Sequence, residues 1–479
     1  MTHRRRATVL PALFCTAALV LAGCTDDDGG SAEAVDAAAE AEVQLNPEAA
    51  GQEIEGFGYS AAFQRTALLE ELPEEERDEA VELLTGREGA APDILRLGIG
   101  GHHEDEYDVM QSIQPEDPGG PDAEPDYEWD GWDNGQVWFA QEAQENGVET
   151  FYGNAWSAPG YMKDNDSPID GGTLCGLDGA DCEEDWTEAY SDLLVSWADF
   201  YAEEGIEVEA LAFVNEPDYH PDYEAMDLSP EQAAEFTEIF GPVAEESGYE
   251  VICCESFGWE EAEPYAEEVF AGGAEEYLRA FSGHSYASDS DFTLETGGTP
   301  VWMSEWASSD PDAGWNEDFD GGEGTVTDGI YMAEHMIDSL VEAELSAYLW
   351  WLGISPGPSA SLLQIDDDEE SFNISSRFHV FSAFSRFIDV GALRYDVDHA
   401  VEDLRVAAFE NPDGEQVIQL LNMGDEAVST DLNLNSVDEV LVTDEEHELE
   451  VSEEVISSEG DLTEVELPAR SLVTLTAGG

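Results

Sequence analysis

Basic residues are almost missing from this chain. Lysine and arginine together number 14 against 113 aspartates and glutamates, Lys163 is the only lysine, and the formal net charge is -99. So lopsided a balance makes nucleic acid and anionic membrane surfaces poor partners, and disfavours acidic polymers unless a local arginine and screening intervene. Hydrophobic content is nonetheless 42%, that of a folded protein, which argues against general disorder. The pattern reads as the solvated acidic surface of a halophile: at 1 M salt the screening length shortens to about 3 Å and the self-repulsion largely vanishes.

Cysteine is scarce too, with six residues, and no Cys/His spacing of the zinc type occurs, so no metal and no cofactor are expected. Cys175 and Cys182 flank a turn-forming Gly-Leu-Asp-Gly-Ala-Asp stretch; in an exported protein this favours a loop disulfide, two free thiols being the alternative. Cys253-Cys254 falls in an apolar run and reads as a pair of small buried hydrophobes. Export itself is read from Met1 to Ala22: Arg4-Arg5-Arg6 precedes an apolar core interrupted by Pro11, a secretory signal too short for a stable membrane span. Leu21-Ala22-Gly23-Cys24 resembles the lipobox of bacterial lipoproteins, making Cys24 the expected lipidation site and a lipid anchor the expected membrane contact. An ordinary secretory signal with a chance cysteine is the alternative. Residues 25–42 are small, acidic and aperiodic, as in a disordered tether.

From Ile54 onward, short apolar runs alternate with helix-like segments, the signature of repeated βα units. Eight runs fit barrel strands: Ile54–Tyr59, Ile94–Ile99, Thr150–Trp156, Val208–Asn215, Val251–Glu255, Phe281–Tyr286, Val301–Glu305 and Ala347–Leu352. Helical spacing is found over Pro73–Leu84, Gly135–Asn146, Trp186–Glu204, Pro230–Ser247, Pro264–Phe270 and Ile330–Glu344, several with proline in the first turn. Eight parallel strands close a (β/α)8 TIM barrel, here over residues 43–388. Beyond Asp389-Val390-Gly391 the rhythm changes to short alternating runs separated by Asn, Asp and Gly, which predicts a β-sandwich over 389–479. The segment near Ala41–Leu45 alternates in the same way and is expected to pair with it.

Two of the barrel runs end on glutamates. Ala210 to Asn215 is uncharged throughout, as in a strand buried on both faces, and Pro217 stops pairing because it has no N–H, which puts Glu216 at the strand's C-terminal tip. Val301-Trp302-Met303-Ser304-Glu305 closes in the same way. That end of a βα barrel carries the chemistry, and two strand-tip carboxyls are what glycoside hydrolysis needs: an acid for the leaving oxygen and a carboxylate for the oxocarbenium-like carbon.

The ordered set Gly56-Phe57-Gly58-Tyr59-Ser60, Ile94-Leu95-Arg96-Leu97-Gly98-Ile99-Gly100, Asn154-Ala155-Trp156-Ser157-Ala158-Pro159, Asn215-Glu216-Pro217, His284-Ser285-Tyr286, Trp302-Met303-Ser304-Glu305 and Phe384-Ser385-Arg386-Phe387-Ile388 resembles glycoside hydrolase family 30. The resemblance spans roughly residues 43 to 478. It implies a barrel with a side β-sandwich, Glu216 as acid/base and Glu305 as nucleophile of a retaining enzyme. Arg96 is expected at the second strand's tip, keeping Glu305 ionised; Asn215 is expected on the sugar's 2-hydroxyl, Tyr286 on Glu305, and His284 on the sugar or Glu216. Trp156 and Trp351 are expected to stack on sugar rings, with Lys163 as a subsite contact and His102-His103 in a loop role. The long loops Glu104–Asp133 and Ser308–Thr327 suggest an open cleft, so the implied substrate is a polysaccharide or oligosaccharide, first of all (glucurono)xylan cut internally. β-1,6-Galactan, β-1,6-glucan and glucosylceramide are alternatives, and no arginine for a glucuronate branch is placed. A non-catalytic surface carbohydrate-binding protein is a reading of another class, disfavoured because both glutamates are present. A monomer is expected.

Overall fold

The computed structural model describes residues 42–63, 65–102, 109–308, 319–320, 329–366, 369–452, 455–459 and 462–478. The lipobox with Cys24, the tether to Ala41, His103 and most of the loop Ser308–Thr327 lie outside them. Strand β1 (Val43–Glu53) comes first, and then eight strands close a parallel barrel in chain order: β2 (Gly56–Ser60), β3 (Ile94–Ile99), β4 (Thr150–Ala155), β5 (Ala210–Ala212), β6 (Glu250–Ser256), β7 (Leu278–His284), β8 (Val301–Trp306) and β9 (Ala347–Leu352). All eight predicted runs are barrel strands. Their continuous apolar character follows from burial on both faces: Ile94, Tyr152, Ala210, Ala212, Ile252, Ala280, Trp302, Ala347 and Leu349 fill the inside, while alternate residues face the helices.

The helices are α1 (Ala67–Glu71), α2 (Glu74–Thr85), α3 (Gln136–Asn146), α4 (Thr187–Glu203), α5 (Pro230–Ser247), α6 (Trp259–Gly272), α7 (Gly329–Glu342) and α8 (Ser376–Ser385). The start of α5 is fixed by a reciprocal cap: the Gln232 N–H donates to Ser229 Oγ, the Ser229 N–H donates to Gln232 Oε1, and Pro230 occupies the first turn. Helix α4 packs against β4 at Gly153, where a Cβ would come within 2.5 Å of the Trp197 ring. Pro264 does not open its helix as predicted. Helix α6 begins five residues earlier, anchored by buried Trp259, whose indole N–H donates to the Phe292 carbonyl at 2.8 Å, and Pro264 sits inside at the cost of one backbone bond.

Three further strands, β10 (Ile354–Pro356), β11 (Leu363–Asp366) and β12 (Ser371–Ile374), form a small separate sheet after β9. The C-terminal part adds β13 (Leu393–His399), β14 (Leu404–Glu410), β15 (Gln416–Asn422), β16 (Val428–Leu432), β17 (Glu439–Thr443), β18 (Glu450–Val451), β19 (Ile456–Glu459), β20 (Leu462–Leu467) and β21 (Ser471–Ala477). With β1 these make a ten-stranded array in the order β18-β17-β21-β15-β14-β13-β1-β16-β20-β19. Strand β1 runs antiparallel to β13, Val43 opposite His399, and the array encloses its own apolar core around Val43, Ile418, Leu420, Val465 and Val473. The chain is thus a TIM-like barrel with a C-terminal β-sandwich.

Candidate active site

Strand β5 is shorter than its apolar run because the chain leaves the ladder after Ala212. Glu216 follows in a left-handed conformation (φ +47°), its N–H donating to the Glu255 carbonyl at 2.8 Å. Glu255, on β6, is left-handed as well (φ +59°). Positive φ is uncommon for a residue with a Cβ, and it persists where surrounding contacts enforce it.

Around these two turns three carboxylates alternate with two cations, all buried. Arg96, the third residue of β3 rather than its tip, donates from Nη1 to Glu305 Oε2, and from Nη2 to Asn215 Oδ1 at 2.6 Å and Glu255 Oε2 at 3.1 Å. His284 lies between Glu216 Oε1, 3.1 Å from Nδ1, and Glu255 Oε2, 3.0 Å from Nε2. Tyr286 donates to Glu305 Oε1 at 2.9 Å and Tyr223 to Glu216 Oε2 at 3.0 Å. Ser304 and Ser282 donate to Glu255 at 2.7 and 3.0 Å. One carboxylate oxygen of Glu216 and one of Glu305 lie within 4.8 Å of each other.

Burial alone would drive His284 neutral, but Glu305, Glu216 and Glu255 beside it raise it to about 9, so the ring is an imidazolium donating from both nitrogens at neutral pH. Burial opposes the charge on Glu255 too; Arg96, His284 and Ser304 overcome it and hold the carboxyl below its usual range. Arg96, despite its burial, is raised by Tyr152, Glu305 and Glu255. Glu305 goes the other way. Burial pushes it up, and although His284 and Arg96 both pull it down, Glu216 adds to the rise. Arg96 therefore acts on Glu305 in the expected direction without dominating it.

Glu216, His284 and Glu305 could offer a metal one atom each within 4.8 Å. They do not suit one: both His284 nitrogens are engaged by carboxylates, and a protonated ring has no lone pair to give.

Two family models match, that of O-glycosyl hydrolase family 30 over residues 112–260 and that of the family 30 beta sandwich domain over residues 391–475. The chain is 32% identical to the catalytic domain of family 30 xylanase C from Talaromyces cellulolyticus, over 91% of this chain and 99% of that one, with a TM-score of 0.84. The chain belongs to glycoside hydrolase family 30. It is a glycoside hydrolase, and its fold recurs in a subfamily 8 xylanase from Clostridium acetobutylicum, 21% identical over 91% of this chain and all of that one at a TM-score of 0.67. A glucuronoxylanase of Bacillus subtilis is 25% identical over 260 residues, 52% of this chain and 55% of that protein, so the match spans about half of each.

In this family 30 hydrolase the structure brings Arg96, Asn215, Glu216, His284, Tyr286 and Glu305 together. Other expectations fail for reasons of burial. Trp156 is only 1% exposed and offers no face to a sugar; Phe63 and Trp351 cover it, and Arg96 lies 4.6 Å over its ring. Trp350 is buried as well, but Trp351 keeps part of its surface. Lys163, 2% exposed, donates to Ser157 Oγ and the Ala225 carbonyl and is structural, not a subsite contact. His102 is an exposed loop residue. Cys175 and Cys182 are disulfide-bonded; Cys253 and Cys254, read as free apolar residues, are bonded to each other, and both remain buried. Sequence reasoning missed Glu255, Tyr223 and Phe63. A glutamate closing a buried strand run was visible at Glu255, as at Glu216 and Glu305, but nothing local marked the two aromatics.

Proposed function

We propose that this family 30 hydrolase is a retaining endo-β-glycosidase acting on xylan, with Glu305 as nucleophile and Glu216 as acid/base. The observation that carries this reading is the approach of the two carboxylates to within 4.8 Å. Retaining enzymes hold their pair about 5–5.5 Å apart, whereas inverting ones leave about 6.5–9.5 Å for a water. Glu216 delivers its proton to the departing glycosidic oxygen while a Glu305 oxygen bonds to the anomeric carbon. In the second step Glu216 takes a proton from water, whose oxygen displaces Glu305 and restores the original anomeric configuration. Arg96 and Tyr286 each hold one Glu305 oxygen, fixing the carboxylate plane for attack. Asn215, whose oxygen accepts from Arg96 and Asn154, is held beside Glu216, and its amide nitrogen is the group proposed to bind a sugar hydroxyl. Xylan is favoured by 32% identity across nearly the whole length of a xylanase.

Activated aryl xylosides and linear xylan test the roles. Glu216→Gln is expected to lose about 10²–10⁴-fold on xylan, less on an aryl substrate that needs no protonation, and to form a β-glycosyl azide when azide is added. Glu305→Gln should bind xylo-oligosaccharide without turnover. Release of the α-anomer first, read by proton NMR, would overturn the retaining assignment.

The same reading places the enzyme outside the cytoplasm. The Cys175–Cys182 disulfide suits an oxidising compartment, and residues 1–24 suit a lipoprotein signal ending at Cys24. Loss of fatty-acid labelling in Cys24→Ser tests the anchor.

A further inference from the structure

The scarcity of cations limits what the cleft can recognise, and the positions of nearly all of them are known. Apart from Arg4, Arg5 and Arg6, every lysine and arginine falls among the described residues; segments 103–108, 309–318 and 321–328 contain neither. Most sit away from the strand tips. Arg279, at the opposite end of the barrel, pairs with Glu209 and Glu250, and Arg394, Arg405 and Arg470 pair with acids on α7, the sandwich or Asp320.

At the catalytic end the count is short. Arg96 is wholly buried and committed to Glu305, Asn215 and Glu255. Lys163 is spent on Ser157 and Ala225, and buried Arg377 on the carbonyls of Ser359 and Ser361. Arg77 binds its neighbour Asp78 on the flank of α2. Arg65, half-buried on the loop after β2, also has a partner of its own within the protein. Against them stand Glu216, Glu255 and Glu305 at the centre and a chain of formal charge -99. Binding a carboxylate in such a field calls for a fixed guanidinium or ammonium aimed at it.

We propose that the cleft takes an uncharged β-glycan backbone and that a uronate branch is no part of what it recognises. The proposal rests on the hydrolase reading above but not on xylan being the polymer. Sugar hydroxyls donate to carboxylates, so a centre built on Glu216, Glu255 and Glu305 in a chain of formal charge -99 suits neutral sugars, whereas a branch carboxylate brings repulsion with no fixed cation to offset it.

Glucuronoxylan and the same polymer with its uronic acids reduced to neutral glucosyl groups differ in charge and in little else, so they isolate the effect. The full chain in molar salt is expected to cut the reduced polymer at least as fast as the parent, and an unbranched xylo-oligosaccharide comparably. The ratio of reduced to parent should widen as salt is lowered within the folded range, because the screening length grows from about 3 Å at 1 M to about 10 Å at 0.1 M. Arg65→Gln should alter both polymers equally. A rate on the reduced polymer lower by about tenfold or more, the worth of one charge-assisted hydrogen bond, would overturn the proposal. So would cleavage at a fixed distance from each branch, or an Arg65→Gln defect confined to the uronate-bearing polymer. Turnover of neutral β-1,6-glucan with none of any xylan would remove the xylan reading and support this one.

Discussion

Glu255 Oε2 lies 3.0 Å from His284 Nε2, a contact between an anion and a cation in which neither group is exposed to solvent. The same oxygen takes Arg96 Nη2 at 3.1 Å. A carboxylate with no exposed surface thereby ties together the two cations that touch Glu305 and Glu216. The role proposed for it is to position them.

Glu255→Gln keeps the shape and removes the charge. His284 loses one of the carboxylates that keep it protonated, and Arg96 meets an amide that offers fewer lone pairs. Turnover on xylan should fall by on the order of 10²-fold with little change in KM, and the alkaline limb of the pH profile should move to lower pH. An unaltered profile would mean that Glu255 merely fills space.

His284 also links stability to pH. Its folded value of about 9 lies above the ordinary 6.5, so the stability it contributes is whole below about pH 6.5 and is lost as pH rises through about 9. The melting temperature should decline across that window. His284→Gln should be less stable than the parent at about pH 6, with the gap closing towards pH 9; a gap independent of pH would contradict the assignment.

Asp133 gives a second linkage with the same sign. Burial raises its carboxyl to about 7, with Asp130 adding to the rise, even though Tyr201 and Gln136 donate to it at 2.6 and 3.0 Å. A raised acid contributes stability below its unfolded value of about 3.8 and loses it as pH climbs through about 7. Asp133→Asn should therefore gain over the parent at about pH 8 relative to about pH 4, measured by calorimetry.

Trp156 and Trp351 should separate by kinetics. Trp156 lies under Arg96, so Trp156→Phe is expected to lower kcat and leave KM nearly unchanged. Trp351 keeps exposed surface, and Trp351→Ala should raise KM on xylan instead. The reverse pattern would put the sugar on Trp156.

The acidic surface should make folding depend on salt. Unscreened, a net charge of -99 opposes compaction; between about 0.1 M and about 2 M potassium chloride the melting temperature should rise by on the order of 10 °C. A melting temperature indifferent to salt would contradict the halophile reading.

Much of the architecture was open to inspection in the chain itself. Alternation of apolar runs with helical spacing is a local property, so eight barrel strands could be counted from it, although β7 begins and ends earlier than expected, α1 and α8 were not foreseen, and the ends of β5 and α6 were misplaced. Those two ends were set by contacts from elsewhere, Glu255 drawing the Glu216 N–H out of line and Phe292 holding the Trp259 indole. In the sandwich the alternating rhythm was legible but the strand order was not, since β1 is set between β13 and β16 by contacts distant in the chain.

By itself, then, the amino-acid order determined the barrel, the appended β-sheet part and the placing of Glu216 and Glu305 at strand ends, because hydrophobic period and proline act over a few neighbouring residues. Only the tertiary structure decided that Glu255 joins them, that Trp156 and Lys163 are shut away from solvent, and that His284 carries a proton. Burial and charge at a point in space are sums over β3, β6, β7 and β8 together, and no single stretch of chain contains those terms.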